Sequence, residues 1–284
     1  MENADKKNSA IRLLVALDEN YLPQLQVLLT SISINSPQDV GALYLMHSGI
    51  SAESLQRVEK QCSAFGCALY PVPVSADFFQ EAPVTKRYPQ EMYYRLLAPH
   101  LLPEGLDRAL YLDPDTLVIN SLRPLWDLDL AGHLFAAASH TGKTELVHNL
   151  NQVRLKTDRE YFNSGVLLMN LEAGRREIQP EAIFRYAQEH AKELVLPDQD
   201  ILNALYASRI LALDDYVWNY DARNYNTYLL RSAGIRDLDW VMAHTAVLHF
   251  CGKAKPWRRG YLHRFGILYK HYMELTRRTG FSLG

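Results

Sequence analysis

Between residues 11 and 74, short apolar runs alternate with segments of helical periodicity, and no other feature constrains the fold so strongly. IRLLVAL (11–17) stops at Asp18 and predicts a first strand. After Pro23, QLQVLLTSISINS places Leu25, Leu28, Leu29 and Ile32 on one helical face. ALYLMH (42–47) predicts a second strand, and SAESLQRVEKQCSAFG a helix capped by Ser51 and stopped at Gly66. CALYPVPV predicts a third strand closed by two prolines. A βαβαβ order requires a parallel sheet with helices on its faces, and such sheets bind ligands beyond the carboxyl ends of their strands. Asp18 lies at one such end. Asp113 and Asp115 lie at another, in RALYLDPDTLVINSL (108–122).

Beyond residue 120 the alternation loosens. HLFAAAS (133–139) and SGVLLMNL (164–171) predict strands, while TELVHNLNQVRL (144–155) and EAIFRYAQEHAKEL (181–194) predict helices. No repeat or linker interrupts the chain. We expect one continuous α/β domain with a smaller mixed second half, and a mobile loop over 73–93 near the strand ends.

Several functional classes are disfavoured by composition. A net charge of −2 in 284 residues offers no general attraction for nucleic acid or an anionic surface. Cys62, Cys67 and Cys251 form no metal-ligand series, and an odd count argues against a disulfide framework, so a reducing compartment is expected. No apolar run reaches the ~18 residues of a membrane span, and MENADKKNSA lacks the core of a signal peptide. These features predict a soluble cytoplasmic protein.

Two carboxylates separated only by Pro114 repel one another and resist burial as ions. A divalent cation resolves this, because hard oxygen ligands suit Mn²⁺ or Mg²⁺. The bland alternative is a solvated turn that merely ends a strand. A haloacid-dehalogenase-type phosphatase also uses two aspartates at a strand end, and LDDY (213–216) would be its second acidic segment. Against it, Thr116 follows Asp115 directly, with no intervening residue. Near the C-terminus, VLHFCGKAKPW (247–257) brings His249 out of a strand, followed by Gly252, Lys253 and Lys255. An imidazole suits a metal, while a glycine and a lysine suit a diphosphate. Taken singly, the histidine reads as structural and the lysines as solvated.

The segments VALDENY, YYRL, LYLDPDTLVINSLRPLWDLDL, YFNSGVLLMNL, LPDQDILNAL and HFCGKAKPW occur in the order seen in family 8 glycosyltransferases. The chain resembles the bacterial lipopolysaccharide galactosyl- and glucosyltransferases of that family from about residue 11 to 260. The resemblance implies a single-domain GT-A fold and a retaining transfer of galactose or glucose from a UDP-hexose. The acceptor would be a glycan or lipid-linked saccharide of the cell envelope. Asp113, Asp115 and His249 would hold Mn²⁺ or Mg²⁺. Gly252 and Lys255 would touch the diphosphate, and Ala16, Asp18, Asn20 and Tyr21 the nucleoside. Arg95 would reach the donor sugar and phosphate. Asn163, Asp198 and Gln199 would surround the transferred sugar, with Asp198 and Gln199 nearest the chemistry.

Each role has a local rival. Asp18 also suits a strand-end cap, Tyr21 a packing partner of Pro23, and Arg95 a helical pair with Glu91. Asn163 suits a turn bond, and Asp198 an N-cap. A domain that binds UDP-sugar without transferring it would carry the same residues. Ser139 and His140 stand where some of the galactosyltransferases place an aspartate, so the resemblance does not separate galactose from glucose. The loop 80–92 shares little with the family and is expected to select the acceptor. Residues 261–284 form a basic, aromatic helical extension whose Tyr261, Phe265, Leu268, Tyr269, Tyr272 and Leu275 share one stripe. That stripe suits packing on the domain or contact with an anionic inner leaflet.

Overall fold

A computed structural model describes residues 10–79, 90–139 and 160–280. The predicted opening holds. Strands β1 (Ile11–Ala16), β2 (Val40–His47) and β3 (Ala68–Pro73) alternate with helices α1 (Leu22–Asn35) and α2 (Ala52–Ala64). Ser51 caps α2 by accepting from Ser54 N–H, and Gly66 ends it at φ +79°. Pro71 and Pro73 lie inside β3 rather than after it. This is tolerated because β3 is the edge of the sheet and leaves its missing donors outward.

Seven strands form the main sheet in the order β3-β2-β1-β4-β7-β6-β8, with β4 at Arg108–Leu112, β6 at Phe135–Ala138, β7 at Val166–Asn170 and β8 at Ile210–Leu213. The run from β3 to β4 is parallel, and β7 then pairs antiparallel with both β4 and β6. A second sheet of three strands joins β5 (Thr116–Val118), β10 (Val247–His249) and β9 (Tyr220–Asp221). The fold is α/β, with a large, mostly parallel sheet and a small mixed one. Two buried clusters sandwich the main sheet, one under Tyr93, Tyr94 and Phe184, the other under α1 and Trp126.

Two expectations need correction, and one pair of alternatives is decided. The helix predicted over 181–194 spans Pro180–Glu189, and His190 ends it. The loop predicted over 73–93 is anchored at both ends. Ala76–Phe79 make a 3-10 turn, Phe79 is buried against Tyr93 and Phe184, and helix α3 (Glu91–Leu101) begins before the loop was expected to finish. The C-terminal stripe packs on its own domain. In α5 (Gly266–Arg278), Tyr269 and Tyr272 are buried with Phe265, Asn35 Nδ2 donates to Tyr272 Oη at 2.7 Å, and Thr276 Oγ1 bonds Thr30 Oγ1 at 2.9 Å. The helix predicted over 144–155, His140 and most of the loop 80–92 lie outside the described residues. Among the described residues, no helix is long and apolar enough to cross a membrane.

Candidate active site

The paired aspartates occupy the turn that carries the chain from one sheet to the other. Strand β4 leaves the main sheet at Leu112, and β5 enters the small sheet at Thr116. Between them Thr116 N–H donates to Asp113 O at 3.1 Å, closing a four-residue turn with Pro114 at its second position. Strand β10 runs antiparallel to β5 and sets His249 opposite Thr116. Two carboxylates and an imidazole 134 to 136 positions later in the chain therefore meet where the sheets join.

Each carboxylate divides its oxygens between two tasks. Asp113 Oδ1 accepts from Tyr111 Oη at 2.7 Å and pairs with Arg95 Nη2 at 2.9 Å. Its Oδ2 lies 3.7 Å from His249 Nε2. Asp115 Oδ2 pairs with Lys255 Nζ, and its Oδ1 lies 3.2 Å from His249 Nε2. Burial would raise the Asp115 carboxyl, but His249 and Lys255 override it and hold the group well below the usual carboxylate range. Burial likewise pushes the His249 imidazole down, yet Cys251 and Asp115 beside it keep it well above histidine's ordinary value.

One ligand atom from each of Asp113, Asp115 and His249 lies within 4.8 Å of the others. Two bonds of about 2.1 Å to a hard cation span up to ~4.2 Å, so the donor set fits a six-coordinate Mn²⁺ or Mg²⁺ with small side-chain adjustment. Gly165 supports the fit independently. A Cβ there would fall 2.7 Å from Asp113 Oδ2 and nearer still to the His249 ring, inside the cradle between the ligands.

Arg95 joins this turn to the start of helix α4 (Pro197–Tyr206). Its Nη1 lies 3.1 Å from Asp198 Oδ2, which also accepts from Ser164 Oγ at 2.8 Å. The helical pair with Glu91 is not made; Glu91 accepts from Ser48 instead. Asp198 is not the N-cap of α4, a position held by Leu196. Asp200 ties the helix start down, accepting from Val195 and Leu196 N–H at 2.6 and 3.0 Å. Gln199 is buried beside Asp198, with its Oε1 3.0 Å from Asn163 Nδ2. Asn163 makes the expected turn bond to Gly165 N–H and a further one to Asn219.

A cleft of about 320 Å³ opens beside the turn, lined by Ala16, Asp18, Tyr21, Arg95, Asp113 and Asp115 among others. Asp18 is a cap: its Oδ1 accepts from Asn20 N–H at 2.9 Å and starts the 3-10 turn Glu19–Tyr21. That turn presents Tyr21, 39% exposed, at the cleft mouth with its ring edge-on to Trp257. Asn20 turns back to Asp18 Oδ2 and lines a neighbouring depression with Pro23 and Gln26. Gly252, at φ +81°, lies where any side chain would strike Arg223. Ser139 follows β6 directly, with its Oγ 2.8 Å from Glu160 Oε2. The LDDY segment lies apart, since Asp214 caps the helix Asp215–Trp218 and Asp215 pairs with Arg231.

Sequence reasoning missed Tyr111, Ser164, Gly165 and Asn219. The glycine that opens a buried strand in SGVLL was a legible sign of close approach. Nothing local marked the others.

Comparisons with known proteins bear on the family and the fold. The chain is 29% identical over 280 residues to general stress protein A of Bacillus subtilis, covering 96% of each. It is 26% identical over 262 residues to the lipopolysaccharide 1,3-galactosyltransferase of Salmonella typhimurium, covering 90% of this chain and 74% of that one. Among solved structures it resembles the galactosyltransferase LgtC in complex with donor and acceptor sugar analogs. There the TM-score is 0.77 at 24% identity, over 93% of this chain and 96% of that one. Residues 12–260 match the family described as glycosyl transferase family 8, and the chain belongs to that family.

Proposed function

We propose that this glycosyltransferase moves galactose or glucose from a UDP-hexose to a hydroxyl of a cell-envelope or lipid-linked saccharide, with retention at the anomeric carbon. The observation that carries the reading is the convergence of Asp113, Asp115 and His249 around the cradle kept open by Gly165. Those three residues would hold Mn²⁺ or Mg²⁺, which when bound supplies positive charge to a diphosphate leaving group. Lys255, already within the site, adds a second cation, and Gly252 lets the backbone approach closely. Asp18 and Tyr21 line the cleft where a base would bind, the ring stacking and the carboxylate accepting a uracil N–H. Arg95 forks between the turn and Asp198, and it reaches the sugar side of the cleft.

Retention proceeds best on a single face. Asp198 is committed to Arg95 and Ser164, and Gln199 is a weak nucleophile whose Oε1 already accepts a hydrogen bond. The departing phosphate oxygen takes the acceptor proton, and Gln199 steadies the positive charge that develops at the anomeric carbon. The test is a panel of UDP-, GDP- and ADP-sugars with Mn²⁺ or with chelator. Slow, ion-dependent release of UDP from a UDP-hexose is expected. Release of inorganic phosphate from monoesters, with no UDP-sugar turnover, would replace this reading with phosphatase chemistry.

The protein would work in the cytoplasm, on the inner face of the plasma membrane. This peripheral contact is proposed for the rim of the C-terminal extension rather than for its aromatic stripe. Ile267, 80% exposed, lines an apolar cleft of about 400 Å³ with Leu238, Met242 and Phe265, and Leu262, five residues earlier, is 94% exposed. Arg258, Arg259, Arg264 and Lys270 are exposed in the same segment, a combination suited to anionic lipid. Salt-sensitive co-sedimentation with phosphatidylglycerol vesicles, lost in Leu262→Ser with Ile267→Ser, is expected; no pelleting at low salt removes the contact.

A further inference from the structure

We propose that Asn219 is a positioning residue that fixes which nitrogen of His249 faces the metal and transmits that setting through Asn163 to Gln199. The inference rests on the metal assignment above and concerns residues that assignment does not use. Asn219 is completely buried between the helix Asp215–Trp218 and β9. Its Oδ1 lies 2.9 Å from His249 Nδ1, its Nδ2 donates to Asn163 Oδ1 at 2.9 Å, and Asn163 Nδ2 donates to Gln199 Oε1 at 3.0 Å. Four side chains from four separate segments form one chain of hydrogen bonds, from the imidazole to the residue beside Asp198.

The direction of every bond in this chain follows from chemistry. His249 Nε2 faces Asp113 and Asp115, so an ion there needs the Nε2 lone pair, and the proton must sit on Nδ1. Nδ1–H then requires an acceptor, and of the two amide atoms of Asn219 only the oxygen accepts. The amide nitrogen of Asn219 is thereby turned to Asn163. There the Gly165 N–H, 2.9 Å from Asn163 Oδ1, independently requires an oxygen. Asn163 therefore has only its nitrogen for Gln199, whose oxygen must accept. No amide in the series reverses without facing two donors or two acceptors across a buried or half-buried contact, which costs the desolvation of an unmet group. The ligand tautomer and the rotamer of Gln199 are set together.

Two variants separate the links. Asn219→Asp still accepts from His249 Nδ1–H but offers no donor to Asn163, so it keeps the ligand orientation and breaks the rest of the chain. Asn219→Ala breaks both. Mn²⁺ affinity is read by electron paramagnetic resonance of the free ion, kcat and KM for UDP-hexose by UDP release, and folding by circular dichroism. Partners of ligating histidines are worth about 10–100-fold in metal affinity. Asn219→Ala is therefore expected to weaken Mn²⁺ binding at least tenfold. Asn219→Asp is expected to bind Mn²⁺ within about threefold of wild type and to lose at least tenfold in kcat with little change in KM. If Asn219→Ala fails to fold, the split between affinity and kcat in Asn219→Asp decides alone. A folded Asn219→Ala with wild-type affinity, or Asn219→Asp with wild-type kcat, overturns the relay. Wild-type protein that binds no Mn²⁺ overturns the metal assignment, and the relay with it.

Discussion

A Cβ on Gly165 would stand 2.9 Å from His249 Nδ1 and closer still to Cε1 of the same ring. The absence of that one atom leaves room for the imidazole and Asp113 Oδ2 to converge. Gly165→Ala should therefore push the ring aside at a cost of about 2 kcal/mol, in the range of other overpacked sites. Activity should fall by more than tenfold, because ligand placement tolerates little displacement. Thermal melts with and without Mn²⁺ check this: the variant should lose most of the ion's stabilising shift. A full shift would show that the cradle has slack.

Asp113→Asn and Asp115→Asn should each abolish ion-dependent turnover, but their effects on the metal-free protein should differ. Asp115 is buried between His249 and Lys255, so neutralising it strands two cations and should cost about 3 kcal/mol. Asp113 shares Arg95 with Asp198, which keeps that guanidinium paired, and its loss should cost less. Urea unfolding in chelator measures both; equal costs would contradict this division.

At the nucleoside end, Asp18 has a structural task and a proposed binding task, and two substitutions separate them. Asp18→Asn retains an oxygen that accepts from Asn20 N–H, so stability should hold while UDP affinity falls. Asp18→Ala should lose UDP affinity and about 1 kcal/mol of stability together. Calorimetric titration with UDP gives the affinities. Unchanged UDP binding in Asp18→Asn would leave the carboxylate as a cap only.

His47, the last residue of β2, gives a prediction for pH. Its ring is buried, its Nδ1 accepts from Ile50 N–H at 3.1 Å, and burial holds the imidazole below its ordinary value of 6.5. Between that lowered value and 6.5, the unfolded chain binds a proton that the folded chain refuses. Stability should therefore fall as pH drops through this window and be unaffected by His47 above it. Urea midpoints at pH 7.5 and 5.5 should draw closer together in His47→Asn than in the wild type.

The parts of this protein legible in its sequence are those decided by neighbours along the chain. Run length and periodicity marked β1, α1, β2 and α2. Two aspartates around a proline at the end of an apolar run marked the Asp113–Asp115 bend, and the ordered motifs marked the family. Asp198 shows the limit of local reading: an acid near a helix start reads as a cap, yet Leu196 holds that position and Asp198 is drawn to Arg95. Arg95 likewise passes over Glu91, four residues away, for Asp113 at 18 and Ser164 at 69. A buried guanidinium gains more from two forked carboxylates than from one exposed partner on its own helix. Asn219 had no local signature, because a buried amide is defined only by the donors and acceptors that the folded sheets bring to it. His249 arrives from 30 residues away and Asn163 from 56. The sequence settled which strands form and which side chains are capable of the chemistry. The crossing of two sheets settled which of them meet, since hydrogen bonds and ion pairs act over a few ångströms of space, whatever the separation along the chain.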